Sequence, residues 1–396
     1  MRFLSGPTRL FAADPGYYSV YHPRFDIDPQ PPEGPGRVEV FGRPTQSSTL
    51  RYYHALENPT GKEHSGFGYS LADRNGFLIV GAPFTTVFGV PNAGAAFVYE
   101  WNRDFFNIEY NLVASFTPPV LIANGYFGYA VAHDGESIAV GWPGVNGGKG
   151  RVTIYDQKSS DDWFLAQTLD PEDIGFAEDI TPRWFGGAIA APVNTEGVLA
   201  VAAPDSIDET FVSPRGVVAV LTRDVFKNDP YTLQHLIRQP KILGGQRYGE
   251  GLAFASSGAA RLLAVGSGNR ELGGGIVNLY TGSIFDSEWE HTASLRNING
   301  GSVAAIAFNS GQRVIGSGNL GSASRLYSRD VMCFPDLRGD ANGDGVTNFE
   351  DLNLVLTDFG LEGENIPGDI NNDGVVDFVD LNVVLVLYGS PCIPPN

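Results

Sequence analysis

Three short phrases, Gly66-Phe67-Gly68-Tyr69, Gly81-Ala82-Pro83 and Gly94-Ala95-Ala96-Phe97-Val98-Tyr99, decide how this chain reads, because they return. The second set is Tyr126-Phe127-Gly128-Tyr129, Gly141-Trp142-Pro143 and Gly150-Arg151-Val152-Thr153-Ile154-Tyr155. The third is Trp184-Phe185-Gly186, Ala202-Ala203-Pro204 and Gly216-Val217-Val218-Ala219-Val220-Leu221. The fourth is Arg247-Tyr248-Gly249, Gly266-Ser267-Gly268 and Gly275-Ile276-Val277-Asn278-Leu279-Tyr280. The aromatics before glycine stand at 67, 127, 185 and 248, so the period is 60, 58 and 63 residues. A fourth strand in each unit is marked by an aromatic with an apolar residue six later: Tyr110 and Phe116, Trp163 and Leu169, Tyr231 and Ile237, Trp289 and Leu295. Four short strands per unit, recurring at about 60 residues, predict the blades of a β-propeller, with a solenoid as the second architecture.

Two end units are partial. The first shows Arg9–Pro15, Gly36–Phe41 and a weaker strand at Tyr52–Leu56, with no Phe-Gly phrase before them. Its innermost strand is therefore expected to be missing. The last shows Gly301–Ala307, Val314–Gly318 and Ser324–Tyr327. Six blades, and a seven-bladed ring lacking its start, both fit. The fold expected is mainly β over residues 1–329, followed by a small α-helical domain over 330–396.

Phe-Gly followed by Gly-Ala-Pro at this spacing resembles the FG-GAP repeat, the blade of the integrin α-subunit head. The resemblance implies a propeller that binds a protein or glycan partner on one face. Glycine after the aromatic admits close backbone approach near the narrow axis, and proline after Gly-Ala ends the second strand. FG-GAP blades often hold Ca²⁺ in an Asp-rich loop between their first two strands. The corresponding turns here, such as Asp73-Arg74-Asn75-Gly76 and His133-Asp134-Gly135, lack three acidic ligands, so those calcium sites do not carry over.

Near the C-terminus two twelve-residue stretches repeat in register, 340–351 and 369–380. Side-chain oxygens fall at positions 1, 3, 5, 9 and 12: Asp340, Asn342, Asp344, Asn348 and Asp351, then Asp369, Asn371, Asp373, Asp377 and Asp380. Glycine stands at position 6, and Val346 and Val375 at position 7 would offer a carbonyl. That is the donor order of a Ca²⁺ loop, so two Ca²⁺ ions are expected. Apolar residues at helical spacing follow each loop, over 352–359 and 381–388, and each run stops at glycine. Nothing before either loop reads as an entering helix.

A duplicated loop-then-helix unit with Asp at position 12 resembles the dockerin domain. The resemblance implies attachment to a cohesin-like or cell-surface protein. Positions 10 and 11, which usually carry a hydroxyl pair for the cohesin, hold Phe349-Glu350 and Phe378-Val379. The calcium ligands therefore carry over and the partner does not. Arg338-Gly339-Asp340 spells the tripeptide that integrins read, but Asp340 is the first loop ligand and would face the metal.

Cys333 and Cys392 are the two cysteines, and they bracket the tail. A bond between them would close one loop around both repeats and imply an oxidising compartment; two separate buried thiols are the alternative. The formal charge of -19 disfavours nucleic acid, since phosphate binding needs a basic face. No run reaches the ~20 apolar residues of a membrane span. The N-terminus lacks an apolar signal core, and the extracellular reading therefore expects a start internal to a longer product.

Catalytic constellations are sparse. The six His are dispersed and none forms a metal-spaced pair. Asp205, Asp208 and Glu209 cluster after the third Ala-Pro phrase, where they read as a solvated acidic loop or as a carboxylate pair for glycoside hydrolysis. Trp142 and Trp184 read as inter-blade packing, with sugar stacking as the alternative. The leading expectation is a non-enzymatic secreted or cell-surface propeller with a calcium-stapled tail. A polysaccharide-degrading enzyme or accessory module is the second.

Overall fold

The computed structural model describes residues 2–5, 9–14, 34–42, 51–102, 109–159, 162–192, 197–208, 216–224, 229–240, 246–257, 260–268, 276–282, 289–296, 302–308, 313–319, 325–330, 339, 341–342, 347–363, 366–370 and 374–388. The chain divides into two compact units, residues 1–209 with 219–234, and residues 210–218 with 235–396. The second unit holds the last strands as well as the helical tail.

In the first unit, β1 (Arg2–Ser5), β2 (Arg9–Asp14), β3 (Arg37–Gly42) and β4 (Arg51–Glu57) form an antiparallel sheet in chain order. The next two sheets repeat it with β5 (Ser70–Arg74), β6 (Phe77–Ala82), β7 (Ala95–Asn102) and β8 (Glu109–Phe116), then β9 (Val131–His133), β10 (Ser137–Gly141), β11 (Val152–Ser159) and β12 (Asp162–Leu169). A two-strand pair, β13 (Ile180–Thr181) with β16 (Ile207–Asp208), flanks a fourth sheet of β14 (Ala188–Ala190), β15 (Val198–Ala203), β17 (Val217–Thr222) and β18 (Thr232–Arg238). The division between units runs through the last two of these strands. In the second unit lie β19 (Gln246–Ser257), β20 (Ala260–Gly268), β21 (Ile276–Gly282) and β22 (Trp289–Arg296), then β23 (Ser302–Phe308), β24 (Arg313–Asn319) and β25 (Arg325–Asp330), and finally α1 (Phe349–Asp358) and α2 (Phe378–Leu387). The fold is mainly β, a succession of meander sheets of the propeller type with two short C-terminal helices.

One expectation is corrected. The innermost strand of the first sheet exists: Arg2–Ser5 pairs with β2 from Arg2 opposite Ala13 to Ser5 opposite Leu10. Ladder hydrogen bonds are made by backbone, so four residues without a Phe-Gly phrase suffice.

The repeated phrases have a geometric cause. Phe67-Gly68 and Phe127-Gly128 are the central residues of turns closed by Tyr69 N–H to the Gly66 carbonyl (2.9 Å) and Tyr129 N–H to the Tyr126 carbonyl (3.0 Å). The turn glycines have φ of 91° and 86°, as the third residue of a type II turn requires. Each turn also grips the preceding sheet. Gly94 forms a parallel bridge with Phe127, and Gly150 forms one with Phe185.

Second strands are buried along their whole length, as β6, β10 and β15 show. For β6 the cause is packing on both faces, between the first and third sheets, which explains an apolar run in place of alternation. Leu78 and Val80 pack toward Phe11, Val38 and Val40 of the first sheet. Phe77 and Ile79, on the opposite face, pack toward Phe127, Ile138 and Val140 of the third. Outer strands β4, β8 and β12 are largely exposed, yet their marker residues Tyr110, Phe116 and Leu169 are buried. In four sheets a one-residue bulge breaks the register of the outer pair, at Phe41, Tyr99, Tyr155 and Tyr280.

Candidate metal centre

The two tail helices begin three residues before the apolar runs at 352 and 381, because loop residues cap them. Asn348 caps α1 by accepting from Glu350 N–H at 2.6 Å, and Asp377 caps α2 by accepting from Val379 N–H at 2.6 Å. Asp351 and Asp380 complete the capping boxes, with carboxylates that accept from Asn348 N–H (2.8 Å) and Asp377 N–H (2.9 Å). Positions 9 and 12 of each loop are thus the N-cap and N3 of its helix. Asp at N3 reaches back as Glu usually does, with one methylene fewer.

The second oxygen of each position-12 carboxylate reaches the start of its loop. Asp351 accepts from Asn342 N–H at 3.0 Å, and Asp380 accepts from Ile370 N–H at 2.8 Å. Asp369 accepts from Gly374 N–H at 2.9 Å, and Gly374 has φ of 92°, the sharp turn expected at position 6. Asp351, Asp380 and Asp369 are all buried.

The two loop-helix units pack reciprocally, 29 residues apart (369 − 340). A Cβ on Gly339, before the first loop, would stand 3.2 Å from Val384 Cα of α2. A Cβ on Gly368, before the second, would stand 3.1 Å from Val355 Cα of α1. Val355, Val384, Val376 and Ala341 form the core between them. Gly360, at φ 84°, ends the first helix and donates to the Val376 carbonyl at 2.8 Å.

Of the expected ligands, Asn342, Asn348, Asp351, Asp369, Val375, Asp377 and Asp380 are described, while Asp340, Asp344, Val346, Asn371 and Asp373 lie outside the described residues, as do Cys333 and Cys392. Among the described residues, no three His, Cys, Asp or Glu side chains converge to hold a metal. The donor set nevertheless fits a hard cation, being all oxygen. A buried carboxylate such as Asp351 has about four lone-pair sites, and its two backbone contacts use two of them.

The β9–β10 turn is organised differently. Asp134, fully buried at the β9–β10 turn, accepts from Glu136 N–H (3.1 Å), Ser137 N–H (2.7 Å), Gly197 N–H (3.0 Å) and the Tyr231 hydroxyl. Arg223 Nη1 donates to both oxygens of Asp156 at 3.1 Å, and the guanidinium carbon Cζ lies 4.9 Å from the Tyr231 ring centroid. Burial pushes the Tyr231 hydroxyl well above its ordinary range. Beside this cluster His133 sits buried against Phe77 and Trp163, and neither ring nitrogen has a hydrogen-bond partner among the described residues. Burial pushes it down to about 4, against the opposing pull of Asp134. The position of Asp134 is visible in the sequence; its partner Tyr231, nearly a hundred residues on, is not.

Asp208 is buried in β16 and Asp205 is half-buried, while Glu209 lies outside the described residues. Trp142 and Trp184 are buried, Trp142 against Phe127 and Trp184 against Tyr126 and Tyr129. Among the described residues no helix is long and apolar enough to cross a membrane.

No known protein family matches the sequence, and no curated protein does. Solved structures do. Sqt1 from Chaetomium thermophilum is 13% identical with a TM-score of 0.41, over 78% of this chain and 76% of that one. The periplasmic gluconolactonase PpgL of Pseudomonas aeruginosa is 13% identical at 0.45, over 77% and 82%. The GH93 α-L-arabinofuranosidase of Fusarium graminearum, solved with arabinobiose, is 12% identical at 0.43, over 74% and 84%. These likenesses say nothing of what this chain binds or does. Its architecture rests on its own sheets.

Proposed function

We propose that this protein is a non-enzymatic, secreted or cell-surface β-propeller that binds a protein or glycan partner and is attached through a calcium-dependent, dockerin-like tail. The observation that carries the reading is the pair of buried carboxylates, Asp351 and Asp380. Each ties the beginning of a twelve-residue loop to the cap of the following helix. Two Ca²⁺ ions would be held by Asp340, Asn342, Asp344, Val346, Asn348 and Asp351, and by Asp369, Asn371, Asp373, Val375, Asp377 and Asp380. The ions neutralise carboxylates whose mutual repulsion opposes folding, and so couple attachment to extracellular calcium.

The tail also has a surface for a partner. Phe349 and Phe378, Leu356 and Leu385, and Phe359 and Tyr388 are exposed pairs at equivalent positions of the two units. Phe359 and Phe378 meet edge to face at 5.0 Å, joining the two apolar faces. Residues 339–396 contain eleven Asp and Glu and no Lys, Arg or His. The partner, cohesin-like or otherwise, should therefore present an apolar surface edged by basic residues.

Calorimetric titration of the calcium-stripped full chain tests the reading. Two calcium sites with a gain of helical signal are expected. Absence of calcium binding at millimolar ion would overturn it, since even weak extracellular modules bind at about 10⁻³ M.

A further inference from the structure

His133 and Phe254 occupy the same seat in two different sheets. His133 ends β9 opposite Ile138, and Phe254 of β19 lies opposite Leu263. Each meets the tryptophan that marks its outer strand. The His133 and Trp163 ring centroids are 6.0 Å apart at 66°, and those of Phe254 and Trp289 are 5.9 Å apart at 62°. Phe77 closes the His133 seat at 6.1 Å. A phenyl ring therefore satisfies this position. An imidazole is costlier there, because a polar group buried without a hydrogen bond loses its hydration for nothing in return. Neither nitrogen of His133, nor Trp163 Nε1 beside it, has a partner among the described residues. Packing does not account for His133, and what the imidazole adds is the capacity to take up a proton.

The two residues after His133 tie three sheets together. Asp134 reaches the fourth sheet by accepting from Gly197 N–H at 3.0 Å and from the Tyr231 hydroxyl. Gly135 reaches the second, since its carbonyl accepts from Asn75 Nδ2 at 2.9 Å. The Arg74 guanidinium lies over Gly135, where a Cβ would stand 2.7 Å from Nη2, and its Nη1 donates to the Pro192 carbonyl, between β14 and β15, at 2.5 Å. In the β19–β22 sheet the residue after Phe254 is Ala255, which has no side-chain acceptor. The histidine and the tie thus occur together, in the third sheet.

We infer that His133-Asp134-Gly135 is an acid-operated clasp: the neutral ring seats the turn, and the protonated ring leaves its pocket and draws Asp134 from its four donors, so that the second, third and fourth sheets part locally at this end. A charge does not stay between Phe77 and Trp163 without water. Burial holds the seated ring down to about 4, Asp134 pulls it up and Arg74 pushes it down. The other charges on the elements around it are Asp73 of β5, Glu100 of β7 opposite Phe77, Glu136 of its own turn, Asp156 of β11, Asp162 of β12 and Arg223 beside Tyr231. Asp156 and Glu136 are engaged with Arg223 at 3.1 and 3.9 Å, and Asp162 with Lys158 at 3.7 Å. Once out of the pocket the ring takes its proton near the ordinary value of 6.5. The open form therefore binds more protons than the closed form between about pH 6.5 and 4, and opening grows as pH falls through that window.

Hydrogen exchange of the full chain in calcium, corrected for the intrinsic pH dependence of amide exchange, tests this. Ser137 and Gly197 N–H both donate to Asp134 and report on the clasp. Their protection falls about fiftyfold between pH 7 and pH 4.5, the ratio that ring values near 6.5 and 4 give. Ile79 and Val140, within the sheets, stay better protected than both at either pH. His133→Phe, which copies the Phe254 seat, folds and reduces the fall to less than about fivefold, what carboxylates alone leave. Protection at Ser137 and Gly197 that ignores pH, or that falls equally in His133→Phe, overturns the inference. So does a fall of Ile79 and Val140 to the same level, which would mean that the unit opens only as a whole. Should His133→Phe not fold, NMR of the wild-type ring decides: it gains its proton over the range in which the two amides lose protection, and a charged ring beside protected amides overturns the clasp.

Discussion

Gly94 lies directly against the carbonyl of Phe127, 33 residues later, and the two form a parallel bridge between consecutive sheets. A Cβ at position 94 would fall deep inside the van der Waals shell of that oxygen. Gly94 also has φ of 89°. Gly175 has nearly the same φ, 84°, but a Cβ there meets nothing within 4 Å. Comparing the two alanine variants separates backbone strain from contact. Gly175→Ala should cost about 1 kcal/mol, the left-handed penalty alone. Gly94→Ala should cost about 3 kcal/mol or more, since the joint must also open. Urea denaturation measures both, and equal losses would show that the joint tolerates a side chain.

Calcium should act on the tail and not on the sheets. The second loop offers four carboxylates, Asp369, Asp373, Asp377 and Asp380, against Asp340, Asp344 and Asp351 in the first, where Asn348 is neutral. Asp373→Ala should remove the tighter site and Asp344→Ala the weaker, each leaving one transition in a calorimetric titration. Chelator should lower the stability of the tail and leave that of the sheets unchanged, which hydrogen exchange resolves segment by segment. Equal loss in both would place calcium elsewhere.

His133 predicts an acid-sensitive first unit. The ring takes a proton near 6.5 in the unfolded chain and only near 4 in the folded one. The unfolded state therefore binds more protons between those values, so stability is full above about pH 6.5 and falls toward pH 4. The shift corresponds to about 3 kcal/mol. His133→Leu removes this part of the pH dependence, leaving the slope due to carboxylates. The charges next to the ring, Asp134 and Arg74, act in opposite senses on it. A wild-type minus variant difference that stays flat from pH 7 to 4 would contradict the burial of a neutral ring.

Non-reducing mass spectrometry of protein from an oxidising host should find one peptide joined through Cys333 and Cys392 and no alkylatable thiol. Two free thiols would remove the covalent clasp around the tail.

Much of the fold was legible because the repeat phrases are constrained by backbone geometry. Phe127-Gly128 has to turn, Gly94 has to lie under it, and Ile138 and Val140 have to fill the space between sheets, so residue type reports position. Arg2–Ser5 escapes this logic, since a strand at the inner edge needs only backbone to pair. The helix starts at Phe349 and Phe378 are encoded in Asn348-x-x-Asp351 and Asp377-x-x-Asp380, but the shorter Asp at N3 conceals the capping box. The Asp134–Tyr231 and Asp156–Arg223 contacts join residues distant in sequence, and no local pattern pairs them.

The parallel bridges have a kinetic corollary. Gly94 finishes the second sheet only when Phe127 of the third is in place, and Gly150 waits in the same way for Phe185. Coupling of this kind runs between nearest neighbours, as in a one-dimensional array. Order should therefore spread along the first unit as a zipper, each sheet serving as the template that closes the one before it. Amides at the joints next to an unformed neighbour should be the last to gain protection during refolding, and the first to lose it when the unit opens.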